Sequence, residues 1–388
     1  MAKKHIRLGT LLFVVLGAVL WVIKTRQLSI LATTPPVFVP VEKYVVETTE
    51  TDGRKTFIKV TTTDHANGCQ KNVITSTRAK TQIEDSLLVV ALIANVKSFG
   101  AHRSFNDFID VIGTLEYDKT KINLAFFCGT DELFAEVDAF MENYYTLQAA
   151  EQYGKVTILK AEFLHSTFSS SDHDHKIQRQ RRRLIARARN YALLNSLDSE
   201  QYTLFMDADV ILLDHPDMLK RFLATGKDII VPRIVRGGNV DYDKNSWRGK
   251  RRRPTTKQEQ LMDENRWDEL KYVPRDKKGE MFHFEDLVKE QKKGTAEGAK
   301  VSLDYIVPLD SVGGAILFAK SIIYKQGVVF PPYYIIGTNW ERYEGWDGIE
   351  TEGLCYIARN LGYLCWGMPN LVAQHSDNDW IVLTLGMN

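Results

Sequence analysis

Leu204–Asp214 reads LFMDADVILLD. Three apolar residues, Leu204, Phe205 and Met206, run straight into Asp207, and a second carboxylate follows at Asp209 before apolar residues resume. Acidic side chains are costly to bury without partners, so two of them at the end of a core strand call for a counter-charge. A continuous apolar run marks a strand covered on both faces. In an open α/β sheet, ligands gather beyond the carboxyl ends of the strands, where Asp207 and Asp209 fall. Carboxylates at i and i+2 of an extended segment project to one side. Such a pair suits a hard divalent cation, Mn²⁺ or Mg²⁺, which takes oxygen ligands and accepts phosphate oxygens in its shell. An ion held there neutralises a diphosphate leaving group. Taken alone, the motif also fits aspartates that close a turn ahead of LLDHPD. A haloacid-dehalogenase-type phosphatase would place Thr or Val four residues after the first Asp, and that place is Ile211.

The sequence around this stretch repeats the strand signal. Continuous apolar runs occur in SLLVVALIANV (from Ser86), INLAFFCGT (Ile122–Thr130), KVTILKAEF (Lys155–Phe163) and DIIVPRIV (Asp228–Val235). Helical patterns separate them at Ser104–Leu115, Glu132–Ala150 and Lys176–Ser196. Apolar strands alternating with helices predict an α/β fold, Rossmann-like, with a mostly parallel sheet and helices on both faces. Further on, ETEGLCYIARNLGYLCWGMPN predicts a helix leading to a last strand that ends at His375.

Composition is that of a globular protein: 388 residues, 44% hydrophobic and 26% charged. A net charge of +1 gives no bulk electrostatic case for nucleic acid. The arginines of HKIQRQRRRLIARARNYALLNSL fit either a solvated helix face or a phosphate-binding edge. In the second reading Arg187 and Arg189, nearest the carboxylate strand, contact phosphate. Nucleic-acid binding lacks the interleaved aromatics it would need. With four cysteines the chain is not a disulfide scaffold. Cys355 and Cys365 fit a disulfide in an oxidising compartment and buried free thiols equally well. The absence of CxxC argues against structural zinc.

The N-terminal MAKKHIR precedes sixteen uncharged, mostly apolar residues, Leu8 to Ile23, followed by Lys24 and Arg26. This predicts a short signal-anchor with a cytoplasmic N-terminus, and its length suits a thin early-secretory membrane. The charges after the apolar run argue against a cleaved signal peptide. The expected organisation is a cytoplasmic tail (1–7), a transmembrane signal-anchor (8–23), a stem (24–83), whose residues 41–82 fit either more stem or a small β ornament, and a lumenal catalytic domain (84–388). That domain contains a charge-dense surface insertion at 249–300.

Taken together, RRRLIARARN, FMDADV, DIIVPRIV, DYDKNSWRG, LDSVGGAILFAK, GVVFPP, ETEGLCYIARNLGY and GMPNLVAQH resemble, in order and spacing, glycosyltransferase family 62 over roughly residues 84–376. These are the fungal Golgi alpha-mannosyltransferases of the mannan polymerase complexes, the Mnn-nine, Anp-one and Van-one group. The resemblance implies a GT-A fold, a type II anchor, GDP-mannose as donor, Mn²⁺ (or Mg²⁺) as cofactor and retention of the alpha configuration. It implies metal ligation by Asp207, Asp209 and His375. Donor contacts would come from Arg187, Arg189, Asn190, Asp207, Gly313 and Gly314, and catalytic or acceptor-side roles from Asp310, Glu350 and Glu352. A mannan or N-glycan acceptor, an alpha-1,6 linkage and sister mannosyltransferase subunits as partners are further implications. The chain departs from the family in reading MDADV where RDVDI is more usual, and in its basic 249–300 segment. Read without the resemblance, His375 also fits a core or surface histidine, and the glycine pair fits a simple turn. Trp340, Tyr343 and Trp346 fit sugar stacking or packing equally. Paired catalytic carboxylates of a hydrolase stand about 5–10 Å apart across a sugar, so an i, i+2 pair favours metal binding. A non-catalytic scaffold subunit and a transferase using a UDP-sugar are the competing expectations.

Overall fold

The computed structural model describes residues 41–376 apart from 50–54, 80–83, 148–151, 166–174, 238–239, 253, 267–268, 271–275, 294–300 and 334–347. The expected signal-anchor at 8–23 and the aromatics Trp340, Tyr343 and Trp346 lie outside the described residues. Among those described, no helix is long and apolar enough to cross a membrane.

The strands are β1 (Glu42–Thr49), β2 (Lys55–Asp64), β3 (Cys69–Ser76), β4 (Leu87–Ile93), β5 (Ile122–Cys128), β6 (Lys155–Ala161), β7 (Tyr202–Met206) and β8 (Val210–Leu213). They continue with β9 (Ile229–Arg236), β10 (Val240–Asp241), β11 (Trp247–Arg251), β12 (Asp276–His283), β13 (Val307–Leu309), β14 (Ile316–Lys320) and β15 (Cys365–His375). The helices are α1 (Phe105–Gly113), α2 (Asp131–Leu147), α3 (His175–Ser196), α4 (Met218–Thr225), α5 (Thr256–Asp263), α6 (Phe284–Lys293), α7 (Ser321–Lys325) and α8 (Thr351–Asn360).

The expected strands and helices form a mixed α/β sheet. Its order is β1-β2-β3-β6-β5-β4-β7-β14-β9-β15-β13, with β10 added to β9 and β8 to β15. The centre, β6-β5-β4-β7, is parallel, as is the β9–β15 pair. β14 runs antiparallel between β7 and β9. Apolar residues cover both faces, which explains why these strands read as unbroken apolar runs. Along β4, Leu87, Val89, Ala91 and Ile93 pack into one layer with residues of α1, α2 and α4. Leu88 and Val90 join the other layer with residues of α3, α6 and α8.

Two segments outside the long apolar strands also take regular structure. Where the sequence fits stem or β ornament, β1, β2 and β3 form an antiparallel meander whose last strand, β3, pairs with β6 and extends the sheet. Lys59 of β2 is buried and ion-paired to Asp138 and Glu142 of α2, fastening the meander to the core. Within the expected surface insertion, β11 and β12 form a two-stranded ribbon. Phe284 and Leu287 of α6 are core residues, so this charge-dense stretch has an apolar root.

Candidate active site

Asp207 is the first residue after β7. Its amide donates to the Ala315 carbonyl (2.8 Å), and Val210 N–H donates back to Asp207 O (3.1 Å). The Asp207-Ala208-Asp209 segment is therefore a turn, not the extended stretch inferred from sequence. The turn leads into β8, which pairs antiparallel with the end of β15 and sets Val210 opposite His375. Ser376 N–H donates to the Asp209 carbonyl (2.9 Å). This ladder brings His375 to Asp209 across the whole C-terminal half of the domain: His375 Nε2 lies 3.0 Å from Asp209 Oδ2. Tyr242 stacks on the His375 ring, with centroids 3.6 Å apart.

The imidazole is oriented. Nδ1 lies 2.8 Å from the Ser376 carbonyl, which can only accept, so Nδ1 carries a proton. In the neutral ring Nε2 then presents a lone pair to a carboxylate, and a proton or cation must stand between the two acceptors. Burial opposes charging His375, but the bond to Asp209 and the nearby Asp207 outweigh it and raise the pKa. A metal ion can take that proton's place, and a carbonyl on the far nitrogen is the usual support for a ligating histidine. Adjacent ligands on an octahedral Mg²⁺ shell with bonds of about 2.1 Å stand about 3 Å apart, close to the separation seen here. Two carboxylates and one imidazole are thus a donor set of the right chemistry. As placed, Asp207 is turned onto Arg189 and Asp209 onto His375, and no group of three such side chains stands gathered as a shell among the described residues.

Arg189 lies beneath the pair. Its side chain is 4% exposed, with Nη2 3.0 Å from Asp207 Oδ1 and Nε 2.9 Å from Glu350 Oε1. Nη2 also donates to the Gly314 carbonyl (3.2 Å), and the guanidinium sits over the rings of Phe205 and Phe330. Burial works against the Arg189 charge, yet Asp207 and Glu350 hold its pKa above the usual value. Asp207 keeps 36% of its side chain open. Burial raises its pKa against the pull of Arg189, and the Asp209 and Glu350 carboxylates raise it further, to about 7. Crowded carboxylates of this kind are what a divalent cation relieves.

Glu350 precedes α8 with φ 68° and ψ −136°, a conformation normally left to glycine at a cost of about 1–3 kcal/mol. Its amide is tied to the Pro331 carbonyl (2.8 Å) and its carboxylate to Arg189, so the surroundings impose the strained geometry. Glu352, two residues on, is buried, with Arg182 Nη2 at 2.7 Å and Arg251 Nη2 at 2.6 Å. Arg182 and Arg189 are seven residues apart, two helical turns, and so share the face of α3 that meets these glutamates. The side chain of Asn190 exchanges two hydrogen bonds with the Phe330 backbone (2.7 and 2.8 Å).

The glycine pair is a cradle. Gly313 N–H donates to Ser246 Oγ (2.9 Å) and Gly314 N–H to Asp243 Oδ2 (2.8 Å). A Cβ on Gly313 would overlap the Asp243 carboxylate, and one on Gly314 would crowd Arg189. The structure thus unites Asp207, Asp209, His375, Arg189, Gly313, Gly314 and Glu350. Four expected residues face elsewhere, among them Asn190, whose side chain is taken up by the Phe330 backbone. Arg187 is exposed, 5.9 Å over the Phe163 ring. Asp310 accepts from Gly249 N–H (2.7 Å) and Arg359 (2.6 Å). Glu352 is enclosed by its two arginines. Tyr242 and Asp243 were not singled out from sequence. The signal was the polar DYDKNSW run, set off from the apolar DIIVPRIV stretch by RGGNV.

A family model described as Anp1 matches residues 65–334, more than half of the chain. The chain belongs to the Anp1 family. Curated relatives of this Anp1-family chain include the "Mannan polymerase II complex anp1 subunit" of Schizosaccharomyces pombe (strain 972), 27% identical over 76% of this chain and 66% of the relative. The "Mannan polymerase complex subunit MNN9" of Candida albicans is 26% identical over 68% of this chain and 69% of the relative. The chain thus spans about two thirds of the length of these relatives. Among solved structures, "Mannosyltransferase PcManGT from Pyrobaculum calidifontis in complex with GDP-Man and Mn2+" covers 78% of this chain and 59% of its own, with 11% identity and a TM-score of 0.40.

Proposed function

We propose that the chain is a metal-dependent, retaining alpha-mannosyltransferase with a GT-A-type site. It moves mannose from GDP-mannose to a mannoside or glycan acceptor, forming alpha-1,6 linkages in N-glycan mannan or a related cell-surface polysaccharide. One observation carries the reading: in an Anp1-family chain, the β8–β15 ladder sets an oriented His375 against the second carboxylate of the DxD turn. Asp207, Asp209 and His375 would hold Mn²⁺, whose charge, when bound, neutralises the diphosphate as the sugar bond breaks. The chain's own residues prepare that event. Arg189 compensates Asp207 and keeps it at the end of β7. Tyr242 covers one face of His375. Gly313 and Gly314, lacking side chains, let Asp243 and Arg189 close onto the backbone beside Asp207. Glu350 is the expected catalytic carboxylate that stands beside the pair, whereas Asp310 and Glu352 secure neighbouring backbone.

The Cys355–Cys365 disulfide supports an oxidising compartment. With the apolar run at 8–23, it supports a single-pass type II protein of the Golgi or ER–Golgi membrane with a lumenal catalytic domain. The names of the relatives support assembly with other mannosyltransferase subunits. The test is to incubate the full chain in detergent with GDP-mannose, Mn²⁺ and short alpha-mannosides, and to read the product linkage by NMR. Metal-dependent transfer that is lost in Asp209→Ala is expected. No transfer, together with no Mn²⁺-dependent melting shift by GDP, overturns the reading in favour of a scaffold. A shift by UDP and not GDP reassigns the donor.

A further inference from the structure

Arg251 lies outside the DxD turn, yet three anchors converge on its strand, β11. Trp247 at its start is fully buried and exchanges backbone hydrogen bonds with Ser311 (3.2 Å each way). Gly249 N–H donates to Asp310 Oδ2 (2.7 Å). Arg251 at its end stacks over the Trp247 ring (5.2 Å) and ion-pairs with Glu352 (2.6 Å), its side chain 11% exposed. Immediately before this strand come the residues that shape the site: Tyr242 on His375, and Asp243 and Ser246 on the Gly314 and Gly313 amides.

We propose that Arg251 is a positioning residue. Its ion pair with Glu352 clamps the β11–β12 ribbon to the start of α8 and so fixes the Tyr242–Ser246 segment against the metal and sugar end of the site. The clamp is built for one-sided removal. Without Arg251, Glu352 keeps Arg182 at 2.7 Å, so no buried charge is stranded. Without Glu352, two guanidiniums would face each other in a buried place. Arg251→Met is therefore the informative substitution and Arg251→Lys its conservative partner, since Lys retains the charge but not the planar fork.

This inference rests on the proposed metal and nucleotide site, so two readouts are taken on the full chain. The first is amide exchange at Gly313 and Gly314 without metal or nucleotide. Arg251→Met is expected to exchange these amides at least tenfold faster, while β4 and β5 amides keep their protection, and Arg251→Lys is expected to fall between. The second is calorimetric titration with Mn²⁺ and GDP. Support by second-neighbour partners is worth about 10–100-fold in metal affinity, so Arg251→Met is expected to weaken Mn²⁺-dependent GDP binding by about tenfold or more, with partial rescue in Arg251→Lys. Unchanged glycine exchange overturns the clamp. Faster exchange spread evenly over the sheet overturns it as well, because that is general destabilisation. If the wild type binds no Mn²⁺–GDP while the glycine amides respond as expected, the nucleotide-site reading has failed and the clamp stands.

Discussion

Arg189→Met separates two roles for a buried arginine beside a DxD turn: compensating its carboxylates, or gripping the donor's phosphates. The guanidinium is almost wholly enclosed and lies 3.0 Å from Asp207 and 2.9 Å from Glu350. Methionine fills similar space but leaves both carboxylates without their cation. Stranding a buried partner costs about 3–5 kcal/mol; Glu350 is stranded in this way, whereas Asp207 keeps 36% of its side chain in water, so the expected loss lies in the lower half of that range. Part of it should return with metal, since ligand at a hundredfold excess over Kd stabilises by about 2.7 kcal/mol and the ion acts on the same Asp207. Equilibrium urea unfolding of wild type, Arg189→Met and Arg189→Met/Asp207→Asn, each with and without Mn²⁺ and GDP, measures this. The double variant should be less destabilised than the sum of its parts. If Arg189→Met stays within about 0.5 kcal/mol of wild type while nucleotide affinity collapses, the compensation argument is refuted and Arg189 is a phosphate ligand.

Asp209→Ala should lower transfer by at least about a hundredfold with little change in urea midpoint; full activity would remove Asp209 from the metal shell. Protons and metal compete for the same atoms. The Asp207 and His375 pKa values are both raised in the metal-free fold, so their contribution to stability is fully present at low pH and is lost as pH rises through neutrality. The melting shift caused by Mn²⁺ should accordingly grow between pH 5.5 and 8, and a shift that shrinks with pH contradicts the assignment. The disulfide closes a loop with a sequence separation of 10; replacing both cysteines by serine should cost about 2.5–3 kcal/mol. Alkylation of the unfolded protein should modify Cys69 and Cys128 before reduction and all four cysteines after it; four modifiable thiols from the start would disprove the bond.

How much of this was legible depends on how each element is buried. β4, β5 and β7 are covered on both faces, so composition alone announces them. β3 alternates buried and half-buried residues, and its Thr-rich neighbour β2 reads by composition as either stem or a β ornament, because the period-two pattern is present but weak. Asp207 and Asp209 were legible because carboxylates at the end of an apolar run are anomalous. The approach of His375 to Asp209 was not, because a ladder between segments more than 160 residues apart leaves no local trace. The arginines show the limit most clearly. Arg187 and Arg189 are near neighbours in sequence, but a helix turns them apart, onto solvent and core respectively. The seven-residue spacing from Arg182 to Arg189 was the available signal for the buried face. The glutamates they meet lie at the start of α8, far along the chain.

The β1–β3 meander bears on any attempt to make this domain in isolation. A recombinant fragment begun at residue 84, where the long apolar strands start, would lack β3 and leave the N–H and C=O groups of β6 facing solvent along the side of a broad sheet. An open, apolar strand of that kind recruits other chains. Such a fragment is expected to precipitate or assemble edge to edge, whereas one begun ahead of Glu42 carries its own covering strand.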